Sequence, residues 1–534
     1  MTLDSGELFP LDRALRGLRE RFGDSVLDTD RVSLREQVVV VPAARLAEIV
    51  EAVTREWDGT LLTMFGLDER ASAGRFRLHA MCSFAPQDAV LTFVASVPEQ
   101  TPRYPSVAAR VPAALWLERE MSDLLGVTPD GHPDPRPLIA HAGWPRHAHP
   151  QRRDFVASED WSWAPRFEGP QVEGDGVFEI LVGPIHSGVL EPAHLRLSST
   201  GESVLQMDTR LGWSHRGLEP LAVGATITRG VELAERICGT CSFHHTLAYC
   251  GAIEELAGIQ VPPRARAIRV LLAELERIVD HVGDLAGILE SVAWMVGSAE
   301  CLRIKECVQQ TNDVLFGHRF LRGSCVPGGV TRDLEDTQQV WLRGVLADVR
   351  ADVEHVRRMA LGDPSVVDRF TGTGVLSLEA VLDLGATGAV ARASGRDLDM
   401  RRHHPYALYR ELDFGVITKS AGDVMARFEL RADEIIESIN LIDQLVHRLP
   451  GGPWAQHLGE LPAGRWGFGL VESARGALSH WLHLGPDGRI ADWRVRSASH
   501  ALWPALAQCV PGSIVPDVPL IRSSFNLCHA CCDK

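Results

Sequence analysis

Glu235-Arg236-Ile237-Cys238-Gly239-Thr240-Cys241-Ser242-Phe243-His244-His245 is the stretch on which the reading of this chain turns. A Cys-x-x-Cys pair lets two thiolates face one metal, because the turn between them brings both sulfurs to one side. A second such pair lies at the far end of the sequence, in Phe525-Asn526-Leu527-Cys528-His529-Ala530-Cys531-Cys532-Asp533-Lys534. If the pairs meet, they make a four-thiolate site. Structural zinc is the ordinary occupant of four cysteines, since Zn²⁺ favours tetrahedral sulfur coordination. Zinc pairs usually staple a small local module, whereas these lie far apart, so a soft redox metal stands beside zinc as a second reading.

Composition bounds the rest. The chain has 534 residues, 45% of them hydrophobic, and a net charge of −16. That length gives room for two or more domains, and the composition is that of a globular protein with a sizeable core. The negative charge argues against a general nucleic-acid surface. No apolar run reaches the length of a membrane span. Met1-Thr2-Leu3-Asp4-Ser5-Gly6-Glu7 lacks the basic and then apolar blocks of a signal peptide, so an intracellular chain is expected. Eleven cysteines in a chain this long do not make a disulfide scaffold. Cys82, Cys250, Cys301, Cys307, Cys325 and Cys509 read as small buried apolar residues.

Residues 1–155 read as a compact α+β unit. Leu11, Ala14, Leu15 and Leu18 share one face of an amphipathic helix. Val38–Val41 reads as a strand and Ala43–Val50 as the opening of a second helix. Phe76–Ala80 and Val90–Val94 alternate like strands with one covered face. A helix is expected over Ala113–Gly126. Residues 156–176, rich in Trp, Pro, Gly and acid, read as a linker; Trp144, Trp161 and Trp163 lie near or in it and suit the plugging of a domain interface. From Val177–Val182, strand-like, the chain turns mostly helical over 177–534. Pro262 and Pro263 begin a long amphipathic run, Ala265–Leu289, with proline where a first helical turn tolerates it. Residues 333–361 and 422–448 repeat that character, which suggests a bundle. Trp466–Val495 reads as a hairpin turning at Gly485-Pro486-Asp487-Gly488.

Cys-Gly-x-Cys-x-x-x-His after Arg236-Ile237, with the distant Cys-x-x-Cys, resembles the large subunit of NiFe-hydrogenases. Gly183–Pro192, Gly212–Glu219, Pro263-Arg264, Glu274–Ile278 and Glu472–Gly476 resemble the group 4, energy-converting branch of that family, which is related to the 49-kDa subunit of complex I. Tyr104-Pro105-Ser106-Val107, Trp116–Glu120 and Gly131-His132-Pro133 resemble the complex I 30-kDa subunit. The two modules fused are similar to large subunits of the formate-hydrogenlyase type. The resemblance implies an α+β fold: a small α+β N-terminal domain, then a large, mainly helical catalytic domain.

It also implies roles. Cys238 and Cys528 would be terminal nickel thiolates; Cys241 and Cys531 would bridge nickel to an iron carrying CO and cyanide. A terminal thiolate such as Cys528 can accept a proton when H₂ is split. His245 would donate a hydrogen bond to a bridging sulfur. Glu191 would begin a proton path, provided its surroundings raise its pKa. Arg475 would be suspended over the metals, its guanidinium donating to cyanide. Glu219 matches a position that holds magnesium, with an ordinary helix-start glutamate as the alternative. His186, His215 and Arg216 fall in loops that approach a quinone and an iron–sulfur cluster in the complex I relative.

The chain departs from that pattern where Asn526-Leu527 replaces Asp-Pro; asparagine hydrogen-bonds but carries no charge. Cys532 adds a neighbouring thiol, and the sequence stops at Lys534, as a processed form or one encoded without a tail would. The chain carries no ferredoxin-like cysteine motif, so electrons would leave through a small subunit with a 4Fe–4S cluster. Ferredoxin-like and membrane antiporter-like subunits, with formate dehydrogenase a further candidate, complete the expected partners, on the cytoplasmic face of the membrane. The expected function is interconversion of H₂ with protons and electrons. The alternatives are a complex I-like NADH/quinone oxidoreductase subunit without Ni–Fe and a zinc-stabilised assembly subunit.

Overall fold

In the computed structural model, which describes residues 10–33, 35–85, 88–141, 143–157, 169–186 and 191–534, the chain divides into two units. One comprises Met1–Glu168 with Asp383–Gly385, the other Gly169–Leu382 with Ala386–Lys534. The expected linker, with Trp161 and Trp163, falls in large part outside the described residues.

The first unit is built on five strands, β1 (Asp28–Arg31), β2 (Glu36–Val40), β3 (Thr60–Glu69), β4 (Arg75–Phe84) and β5 (Ala89–Pro98), ordered β1-β2-β5-β4-β3. β2 and β5 run parallel; the other neighbours are antiparallel. Helices α1 (Pro10–Phe22), α2 (Leu46–Glu56) and α3 (Leu115–Leu125) supply Leu18, Ile49, Val53, Leu117 and Leu125 to a core shared with Leu78, Leu91 and Phe93. The alternation in β4 suggested one covered face. That holds as far as half-buried Arg77; from His79 onward both faces are buried, with Phe65 of β3 stacked on His79 at 4.9 Å on the second face. Buried Glu118 accepts from Ser106 Oγ (2.6 Å), Val107 N–H (2.7 Å) and Ala108 N–H (3.0 Å), so the Tyr-Pro-Ser-Val and Trp-Leu-Glu-Arg-Glu stretches form one tie.

The second unit opens with an antiparallel meander, β6 (Val177–Val182), β7 (His194–Thr200) and β8 (Ser203–Arg210). Its longer helices are α4 (Ser242–Ala257), α5 (Pro263–Ser291), α6 (Met295–Phe316), α7 (Asp336–Leu361), α8 (Val424–His447), α9 (Ser499–Cys509) and α10 (Val518–Phe525). α5 begins at Pro263, as the proline signal predicts. The expected single hairpin over 466–495 is instead a three-stranded meander, β9 (Trp466–Ser473), β10 (Gly476–Leu484) and β11 (Ile490–Arg496). The extra turn, at Ala474-Arg475, carries a site residue. α4 lies on β9 at very short range: a Cβ on Gly469 would sit 1.9 Å from the Ala248 carbonyl oxygen, and one on Gly467 2.0 Å from that of Ala252. These glycines fix where α4, and Cys241 at its start, can lie. Of the cysteines read as buried, Cys307 is half-buried and the others are buried.

α5 is buried almost all round, and several of its buried charges are tied into one network. Glu274 receives Arg401 Nη1 at 3.1 Å on both oxygens, Ser438 Oγ at 2.6 Å and the Tyr409 hydroxyl, with Arg277 Nε at 3.3 Å. Arg392 joins Glu434 (2.7 Å) to Glu472 of β9 (2.7 Å), and Arg277 donates to the Glu472 and Ser473 carbonyls at 2.5 and 3.2 Å. The network pins the end of β9 to α5 and α8. Burial opposes the Glu274 charge, but Arg401 and Arg277 outweigh it and hold its pKa down at about 2. Its contribution is therefore fully present above the ordinary carboxylate value, near 4.5, and is lost as pH falls through about 2. Glu274→Gln is expected to destabilise the larger unit by about 3–5 kcal/mol, because it leaves buried guanidinium charge unpaired. Urea unfolding at neutral pH reads the loss, and the parent's excess over the variant should shrink as the medium is acidified below pH about 4.

Candidate metal centre

The two cysteine pairs meet. Cys238 Sγ lies 3.5 Å from Cys528 Sγ, and Cys241 Sγ lies 3.6 Å from Cys531 Sγ. Both separations far exceed a disulfide bond of about 2.05 Å. Cys238 sits in the loop before α4, Cys241 caps that helix, and Cys528 and Cys531 follow α10. Backbone donors prepare the first sulfur of each pair: Thr240 and Cys241 N–H reach Cys238 Sγ at 3.4 Å, and Cys531 N–H reaches Cys528 Sγ at 3.2 Å. Glu276 of α5 accepts from Phe243 N–H (2.6 Å) and His244 N–H (2.9 Å), which anchors the first turn of α4 beside Cys241.

The donor set suits a polyvalent cation. Hydrogen bonds from the other three thiols hold Cys238 well below its ordinary pKa, while their bonds to Cys238, with burial, push those three well above it. Four buried thiolates in contact repel one another too strongly to ionise together without added positive charge. Metal-ligating atoms fall into two overlapping groups within 4.8 Å, Cys238/Cys528/Cys531 and Cys241/His245/Cys531, with Cys531 in both.

Arg475 reaches over these sulfurs from the β9–β10 turn. It donates through Nε to the Asn526 carbonyl (2.7 Å), Nη2 to Asn526 Oδ1 (3.1 Å), and Nη1 to Thr240 Oγ1 (2.9 Å) and Cys241 Sγ (3.6 Å). Burial opposes its charge; Asp280 and the cysteines more than compensate and hold its pKa above the ordinary value. Asn526 adopts the left-handed conformation, φ 50°, which asparagine tolerates better than most residues. Its amide oxygen thus keeps the contact with Arg475 that a carboxylate would make, without the charge.

Asp280 was not legible as a site residue. It lies 3.8 Å from Arg475 Nη1, is buried, and neither carboxylate oxygen has a hydrogen-bond partner among the described residues. Burial raises its pKa to about 7 against the pull of Arg475, and burial likewise raises Glu276 to about 8. A signal existed: Glu276, Asp280 and Asp284 stand at intervals of four along the helix, which puts three acids on one stripe.

Of the remaining predicted residues, Glu191, Arg216 and Glu219 contact the stretch from Cys528 to Lys534. Glu191 accepts from the N–H groups of His529 (3.1 Å) and Ala530 (2.9 Å), with His529 Nδ1 at 3.2 Å. Burial would raise its pKa, but His529 and the Ala530 N–H prevail and lower it, opposite to the expected direction. Arg216 donates to the Ile237 and Ala530 carbonyls, each at 2.8 Å, so one guanidinium ties the backbones just ahead of Cys238 and Cys531. His215 Nδ1 accepts from Gly217 N–H at 3.2 Å, and His186 Nε2 pairs with the Ala193 carbonyl at 2.9 Å. Glu219 accepts from Lys534 Nζ at 2.7 Å and from Val495 N–H at 2.9 Å. An ammonium already on that carboxylate does not fit the magnesium that the family position implies.

His245 stands in a chain whose proton order the geometry fixes. The Trp493 indole N–H, a donor only, lies 3.2 Å from His480 Nδ1, which must accept. His480 then carries its proton on Nε2 and donates to His245 Nδ1 at 3.0 Å, which leaves His245 Nε2–H directed at Cys531 Sγ, 3.5 Å away. Burial lowers both imidazole pKa values, His245 to about 3, which keeps the rings neutral as this order requires. Trp493→Phe is expected to lower the metal retained after a chelator challenge about tenfold. Trp481→Phe, the loss of a buried indole outside this chain, serves as the packing control. Equal metal retention in Trp493→Phe and the parent contradicts the ordering.

Comparison with known proteins agrees with this geometry. The family "Nickel-dependent hydrogenase" matches residues 216–284, "Respiratory-chain NADH dehydrogenase, 49 Kd subunit" residues 293–463, and "Respiratory-chain NADH dehydrogenase, 30 Kd subunit" residues 39–160. Formate hydrogenlyase subunit 5 of Escherichia coli (strain K12) is 33% identical over 97% of this chain and 93% of its own length. Hydrogenase-4 component G of the same organism is 32% identical over 97% of this chain and 92% of its own length. A chain in the structure of the membrane-bound sulfane sulfur reductase, an archaeal respiratory membrane complex, superposes with a TM-score of 0.63 at 27% identity, covering 67% of this chain and 99% of that one. The match to the first two relatives runs along almost their whole length, and this chain belongs to the family of group 4, formate-hydrogenlyase-type NiFe-hydrogenase large subunits.

Proposed function

We propose that this chain is the catalytic large subunit of a membrane-associated NiFe-hydrogenase complex and interconverts H₂ with protons and electrons. The observation that carries the reading is the meeting of two buried cysteine pairs, with Cys531 close to both Cys241 and the Cys238/Cys528 sulfurs, beneath a buried Arg475. A single zinc ion with Zn–S bonds of about 2.3 Å needs one compact quartet and no guanidinium above it. Two adjacent metal positions account for both features.

Cys238, Cys241, Cys528 and Cys531 would together hold a nickel–iron group carrying CO and cyanide. When bound, such a centre supplies the Lewis acidity and redox equivalents for H₂ cleavage or formation. The protein's own part is charge, order and proton handling. Arg475 is held charged over the sulfurs by Asn526, Thr240 and Asp280. It cannot readily lose a proton, so it stays a hydrogen-bond donor at the mouth of the site. His245 fixes the acceptor direction of Cys531. Cys528 would accept and release the proton, whereas Glu191, bonded to the Cys528–Cys531 turn and held below the ordinary carboxylate range by His529 and the Ala530 N–H, would anchor that turn. Electrons would leave through a 4Fe–4S small subunit. No helix among the described residues is long and apolar enough to cross a membrane. Membrane attachment would therefore come through partner subunits, on the cytoplasmic face.

The matches to the 49 Kd and 30 Kd subunits favour a second reading, a complex I-like electron-transfer subunit that works without Ni–Fe. Cysteine substitution separates the two. In the assembled complex, Cys238→Ser and Cys528→Ser are each expected to abolish H₂-dependent dye reduction, with nickel lost from the purified protein. Full redox activity in both variants would favour the complex I-like reading.

A further inference from the structure

Glu219 is buried at the first turn of the short helix Leu218–Ala222, where a carboxylate needs a positive partner or coordination. Lys534 supplies the partner. Its Nζ lies 2.7 Å from Glu219 Oε1 and donates to the Val495 carbonyl at 2.6 Å, and its side chain is itself buried. The Arg494 guanidinium stands 4.0 Å from the other Glu219 oxygen. We infer that the Lys534 ammonium is a built-in cation that stands at Glu219 in place of a divalent ion and seats the segment bearing Cys528 and Cys531.

The chemistry favours an ammonium. A compact head with three donors can serve the Glu219 carboxylate and the Val495 carbonyl together. Magnesium requires near-octahedral oxygen coordination at about 2.0–2.1 Å, and two positive side chains already face this carboxylate. The same segment is stitched down next to it. Asp533 accepts from Gly212 N–H (2.7 Å), Ser214 N–H (3.0 Å) and Ser214 Oγ (3.1 Å), and its carbonyl accepts from Arg216 N–H at 3.1 Å. The Lys534 carbonyl accepts from Gly217 N–H at 3.2 Å. The loop over 212–219 is therefore a dock, and the Lys534–Glu219 pair is its buried ionic contact. Lys534 is a positioning residue: it touches neither sulfur nor substrate.

The test uses the assembled complex and rests on the proposed nickel site only for one of its reporters. Divalent metal is measured by mass spectrometry after EDTA dialysis in the parent and in Glu219→Gln; equal magnesium, manganese and calcium contents are expected. Lys534→Met and Glu219→Gln are each expected to lower nickel retained under chelator about tenfold. The double variant should recover most of the loss, because it removes both buried charges together, and Lys534→Arg should stay near the parent. Stoichiometric magnesium in the parent that disappears in Glu219→Gln overturns the inference. So does a double variant no better than the worse single one. If the parent holds no nickel, the proposed function fails on its own, and the thermal midpoint reports the same cycle of variants.

Discussion

Four thiols within hydrogen-bonding reach of one another cannot all ionise inside a protein unless positive charge is brought to them. That constraint organises the larger unit. Arg475 brings a single charge and is held at Cys241 by Asn526 and Thr240. The deficit that remains is what a pair of soft metals would neutralise. The same crowding holds Cys238 below the ordinary thiol range and pushes the other three above it.

Bringing distant segments to one point needs rigid placement, and the fold provides it in three ways. Gly467 and Gly469 let α4 lie against β9, which fixes Cys241. The buried ionic network on α5 fixes the end of β9, from which the Arg475 turn projects. Arg216, Asp533 and Lys534 dock the last stretch of the sequence against the loop over 212–219. Each device acts on backbone position, so the sulfurs are placed by the frame before any metal adds its own demands.

Much of this was legible because the signals were local. The Cys-x-x-Cys pairs and the proline start of α5 declare themselves within a few residues. The Arg475 turn did not: Gly485-Pro486-Asp487-Gly488 is a far louder turn signal than Ser473-Ala474-Arg475-Gly476, so the meander read as one hairpin. Asp280 hid for a different reason. An acid in a helix reads as a solvated face, and only the burial of α5 on all sides turns it into a site residue. Lys534 and Glu219 meet across most of the larger unit, a contact that no periodicity or spacing encodes. The His480–Trp493 chain behind His245 depends on which residues of β10 and β11 share a face, and that required the register.

The most direct measurement is metal analysis of the purified complex combined with infrared spectroscopy and anomalous scattering at the nickel edge. The account predicts stoichiometric nickel and iron, infrared bands of CO and cyanide, and a nickel peak bounded by Cys238 and Cys528. A fully occupied zinc ion held by all four cysteines, with no nickel and no such bands, would contradict it.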